Sequence, residues 1–158
     1  MRPNVSEQLD GIRHVLTQVI APHVTDPYAA SVLNGLLGAL GSVAAGWSSV
    51  PQFLRWDADA TAAILTAARP YLDEGLTAEF DDVLDHAPEG DCDVLVLEVH
   101  QRRLRALLER AVPAVVEEPT IRPLLVGHLR ARIDRFPFSM VPQTRNPQTG
   151  GIRADAAR

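Results

Sequence analysis

Apolar residues in the first twenty positions recur at steps of three and four. Val5, Leu9, Ile12, Leu16, Val19 and Ile20 fall on one face of a predicted helix. Asn4 stands in front of them as a cap, and Glu7 three residues on completes a box in which side chains satisfy the orphan amides of the first turn. Pro22 ends the helix, and His23 to Asp26 connects it to the next.

From Pro27 to Leu54 no charged residue occurs, although charged residues are 22% of the chain. Asp26-Pro27 opens this run as an acidic cap followed by a proline at the first helical position. A membrane span would be dense in Leu, Ile, Val and Phe over about 20 residues. Here Asn34, four glycines and four serines dilute it, and no cluster of positive residues flanks it. The expectation is therefore the central helix of a bundle. Gly35, Gly38 and Gly41 each weaken a helix by about 0.5–1 kcal/mol against alanine, so they mark either close packing of another backbone or a cleft. Trp47 and Trp56, around Pro51, read as a break between helices and as part of that same face.

A third helix is predicted from Asp57 or Asp59 through Ile64, Leu65 and Ala68, disturbed near its end by Pro70. After Gly75, Thr77 caps a short fourth helix carrying Phe80, Val83 and Leu84. Pro88 to Asp93 is a loop. The apolar spacing then predicts one long helix from Asp93 to Val112, and Pro113 and Pro119 bracket a short piece. A last helix from Thr120 to Phe136 carries Ile121, Leu125, Leu129, Ile133 and Phe136. The prolines and paired glycines after Pro137 predict an extended or disordered arm. The expected architecture is all-α: a single-domain helical bundle over 1–136, with five to six helices around the Gly/Ala-rich second one, and an arm over 137–158.

Composition supports helices. Aromatics are 5% of the 158 residues, so the core must be built from Leu, Val, Ile and Ala. One cysteine, Cys92, allows no internal disulfide, and the polar, acidic opening from Met1 to Asp10 is no signal peptide, so a cytoplasmic location is expected. Residues 1–97 hold four Arg against fourteen acids, and residues 98–158 hold eleven Arg against six. Halves of opposite sign attract each other or an oppositely charged partner. An acidic total with no basic-aromatic stripe disfavours nucleic acid.

Candidate chemistry is sparse. No histidine has a Glu three residues before it, as di-iron bundles require. Cys92 lies between two aspartates, which oppose thiolate formation. No phosphate loop and no Gly-x-Ser-x-Gly elbow occurs. No catalytic, metal or cofactor site is expected. What remains are Arg102, Arg103, Arg105 and Arg110 on the long helix, and Arg130, Arg132 and Arg135 on the last, as candidate partner surfaces.

Two stretches carry a resemblance. Arg2-Pro3, Glu7 to Leu9, Ile12, Leu16 and the Val19 to Pro22 helix end form the first. Pro123 to Arg130, then Ile133 and Phe136-Pro137, form the second. Both are similar to a small all-helical bacterial family encoded beside aminoglycoside-phosphotransferase-like kinases and acyl-CoA dehydrogenases. That family includes accessory subunits of the hydroxyacyl-CoA kinase of levulinate catabolism. The resemblance covers about a third of the chain and contains no catalytic signature. It implies a non-catalytic partner of a kinase-like phosphotransferase acting on small hydroxyacyl substrates. The residues themselves leave two alternatives open: a bundle that binds or transforms a small ligand against the glycine face, and a self-associating homo-oligomer.

Overall fold

In the computed structural model, residues 4–90 and 93–138 are described. Of the arm expected over 137–158, residues 139–158 lie outside the described residues. The fold is an all-α single-domain bundle with six α-helices among the described residues: α1 Val5–Val15, α2 Pro27–Gly46, α3 Val50–Ala68, α4 Glu74–Asp85, α5 Val94–Val115 and α6 Arg122–Arg135.

Local chemistry sets most helix starts. Asn4 accepts from the Glu7 amide at 2.9 Å while Glu7 accepts from the Asn4 amide at 2.8 Å, the reciprocal box expected. Asp26 caps α2 through the Ala29 amide at 2.8 Å, and Asp93 caps α5 through that of Leu95 at 2.8 Å. The cap of α4 is Asp73, whose carboxylate accepts from the Leu76 amide at 2.7 Å, and not Thr77. Past Val15 the first helix loosens into a π turn, Leu16–Ile20, and then a 3-10 turn containing Pro22.

Two expectations are corrected. Trp47 to Trp56 is no break: a single 3-10 turn, Trp47–Ser49, joins α2 to α3. Pro51 sits in the first turn of α3, where its missing N–H has no intrahelical acceptor to lose. Nor is α2 the centre. It buries only Leu33 and Gly46, whereas α3 buries nine residues, Val50, Phe53, Leu54, Asp57 and Leu65 among them. The physical reason is volume. Gly, Ala and Ser make a helix uncharged without giving it side chains long enough to fill a core.

That core lies between α3, α4 and α5, where Leu65, Phe80, Leu104, Leu107 and Ala111 meet. It continues to α6 through Ile64, Ala68, Val115, Ile121 and Leu125. Arg110 on α5 donates to Glu79 on α4 at 3.1 Å, and this bond holds the Glu79 carboxyl below its usual range. Arg110 is therefore tied within the fold. At the α2–α3 junction, Pro137 and Phe138 close over the chain. A Cβ at Gly46 would collide with the Pro137 carbonyl, so only glycine fits there. Phe138 joins Val50, Phe53, Leu54 and Leu97 in the third apolar cluster.

Candidate functional site

The most unusual chemistry in the fold is a carboxylate in the middle of α3. Asp57 lies on the same helical stripe as Val50, Leu54, Thr61, Ile64 and Ala68, and its side chain is fully buried. A lone buried carboxylate is strongly unfavourable, and here two other helices compensate it. From α5, Gln101 donates through Nε2 to Oδ2. From α6, Arg132 places Nε 2.8 Å from Oδ1, and His128 places Nε2 3.3 Å from the same oxygen. The Arg132 contact is an ion pair with the N–H aimed away from Oδ1, so neither atom completes a hydrogen bond through it. Thr61 donates to the Asp57 carbonyl at 2.7 Å and lies 3.4 Å from His128 Nε2.

His128 Nε2 faces oxygens of Asp57 and Thr61, which assigns its proton to that nitrogen. Nδ1 is buried and without a partner. Burial is the largest influence on the imidazole and pushes its pKa down. Arg132 and Arg105 push the same way, and Asp57 opposes them. Aromatic rings close the site. Trp56 lies 5.6 Å from the His128 ring, Arg135 sits 4.5 Å over Trp56, and Arg132 is 5.9 Å over Phe53.

An Asp–His pair invites comparison with general-base chemistry, but the geometry opposes it. The His128 side chain is 7% exposed and that of Asp57 0%, so the carboxylate is out of a substrate's reach and only an edge of the imidazole lines a cleft. The arrangement clamps α3, α5 and α6 together. Beside it a cleft of about 150 Å³ opens between Arg105, Leu108, Val112, Leu125, His128 and Arg132. No group of three or more His, Cys, Asp or Glu placed to hold a metal occurs among the described residues.

The candidates named from sequence divide sharply. Arg102, Arg103 and Arg105 are exposed on α5, with Arg105 3.8 Å from Glu109. The α6 set does not form one face. Arg130 is exposed, Arg132 is held on Asp57, and Arg135 stacks on Trp56. Gly35 and Gly38 pack against nothing: a Cβ at either would meet open space, because no other helix covers that side of α2. Gly41 is close only to the Arg13 guanidinium, 3.4 Å from where its Cβ would stand. Trp47 is exposed, while Trp56 belongs to the cluster. Sequence reasoning set Asp57 or Asp59 at the start of a helix and gave Gln101 and His128 no role. The available signal was phase, since Asp57 continues the apolar stripe of Ile64 and Ala68 backwards.

A pH dependence follows. His100 is also held below its ordinary value, by burial first and then by Arg103. With both imidazoles depressed in the fold, the unfolded chain takes up protons first as the pH falls. Stability is thus full above about pH 6.5 and declines below it. His128→Gln and His100→Gln should each flatten that decline in urea melts between pH 7 and pH 5. An unchanged slope in the double variant would show that other groups control it.

The chain matches no known family model, no curated protein and no solved structure.

Proposed function

We propose that the protein is a non-catalytic accessory subunit that docks a phosphotransferase-like kinase acting on small hydroxyacyl substrates. The kinase rests on the resemblance of the two chain ends. The interaction role is carried by one observation. Leu95, Val96 and Val99 on α5 are 48–68% exposed and line a groove of about 310 Å³ with His86, His100 and Arg103. Large apolar side chains inside a polar rim are the anatomy of a protein-binding patch. Arg102 and Arg103 supply the positive charge that steers an acidic partner.

The ligand-binding alternative has less behind it. The glycine face it invokes is open: a Cβ at Gly35 or Gly38 would meet nothing within 4 Å, so no cleft wall stands over it. The test is capture of the neighbouring kinase by tagged protein. Leu95→Asp and Val99→Asp should each weaken capture about tenfold or more with the melting temperature unchanged. Arg102→Glu with Arg103→Glu should reduce its salt dependence. Capture indifferent to all four substitutions, or no capture at all, removes this reading.

A further inference from the structure

The hairpin of α1 and α2 is built differently from the rest of the fold. No residue of α1 is buried, and α2 buries only Leu33 and Gly46. Helices of this length are held in water chiefly by the apolar face they bury, and two helices alone cannot enclose one.

Most of the uncovered apolar positions are ordered, with Ile20 and Tyr28 off the pattern. Val5, Ile12, Val15 and Val19 on α1 and its π turn, and Val32 and Leu36 on α2, are 41–55% exposed. They lie on two stripes, positions 5, 8, 12, 15, 19 and 29, 32, 36, 39, 43, each stepping alternately by three and four. That seven-residue repeat is the spacing by which helices of four-helix bundles interlock. Arg13 against Gly41, with a connector of only three residues after His23, makes the hairpin antiparallel. At 100° per residue, Ile12 on α1 stands about a quarter turn from the α2-facing Leu9 and Arg13. Leu36 stands about a quarter turn from the α1-facing Leu33 and Leu37. In an antiparallel pair both offsets fall on the same side, so the stripes form one continuous face.

Three properties identify what covers it. First, the face is neutral: the ionisable residues of α1 (Glu7, Asp10, Arg13 and His14) lie off the stripe, and α2 has no Asp, Glu, Lys, Arg or His. Nothing repels an identical face, and nothing is offered to a charged partner. Second, the size fits. Twenty residues of helix by two helix widths project about 600 Å², close to the roughly 800 Å² per partner of a stable interface. Third, the surroundings favour water over lipid. By length and composition alone the helical run from Pro27 to Tyr71 could cross a bilayer. The hairpin would have to carry the Asp10–Arg13 ion pair (3.1 Å) in with it, and Arg13 lies against Gly41.

We infer that α1 and α2 form a homodimerisation element, in which the hairpins of two copies pair face to face across a two-fold axis as an intermolecular four-helix bundle.

The test uses the full chain, without detergent and without any kinase, so it is independent of the docking reading above. Light scattering after size exclusion should give twice the chain mass at micromolar concentration. Ile12→Glu and Leu36→Glu should each weaken the dimer about tenfold to a hundredfold. Amide exchange supplies a readout that needs no variant. Exchange over residues 5–23 and 27–46 should slow as protein concentration rises, while that of α3 to α6 stays constant. A monomer throughout the range, a dimer that survives both substitutions, or hairpin exchange independent of concentration overturns the inference. So does binding of the monomer to phosphatidylglycerol vesicles through these helices, which would put lipid where the second copy was placed.

Discussion

Asp57→Ala should lower folding stability by about 3–5 kcal/mol, the usual result of removing one partner from a buried ion pair. The loss comes from what stays behind. Arg132 keeps its charge at 24% exposure, and His128 and Gln101 lose the oxygens they face. The urea midpoint should fall with the slope unchanged, since the same surface is exposed on unfolding. Asp57→Asn should be milder, because an amide oxygen still accepts from Gln101. The converse experiment is more discriminating. Replacing Asp57, His128 and Arg132 together by apolar residues of similar volume should restore most of the loss, as in other buried ion pairs. If the single variant is barely affected, the clamp does not hold the three helices. If the triple variant is as unstable as the single one, packing around the cluster matters more than its charges.

Phe80→Ala should show an effect of similar size by an unrelated mechanism. Phe80 is fully exposed nowhere: it is the largest of the completely buried side chains and sits where α3, α4 and α5 meet. Its truncation removes apolar contact and leaves a cavity that the helices close only in part, a loss of about 3–5 kcal/mol. The Arg69 guanidinium 5.2 Å over the ring loses its aromatic face as well. Phe80→Leu should recover more than half of the loss, because leucine refills most of the cavity that alanine leaves. Recovery no better than alanine would mean that ring shape, and not volume, sets this part of the core.

The helices were legible in the sequence wherever a polar cap met an apolar period. Asn4 with Glu7 and Asp26 with Pro27 each appear as read, and the long helix begins beside Asp93, which caps it. The misreadings share a cause, which is that residue type does not reveal depth. Pro51 signals a break only inside a helix; in a first turn it is compatible with helix. Charge-free α2 looked central, yet burial follows side-chain volume, and α3, which carries Arg55, Asp57 and Asp59, forms the centre. The cluster was hidden for a related reason. An aspartate at a plausible cap position and three arginines along α6 each have an ordinary surface explanation. Only the tertiary meeting of α3, α5 and α6 turns Arg132 inward while Arg130 stays outside.

The close approach of Gly46 and Pro137 bears on the order in which the chain matures. A ribosome releases the hairpin, α3 and α4 long before α6, so the junction between α2 and α3 emerges without its cover. This contact joins residues about 90 positions apart in the chain, and such closures come late because the loop must first be brought round. Until then Val50, Phe53 and Leu54 lack the cover that Phe138 gives them. A nascent chain stalled before Pro137 therefore offers chaperones, or a second nascent copy, a surface that the finished protein withholds.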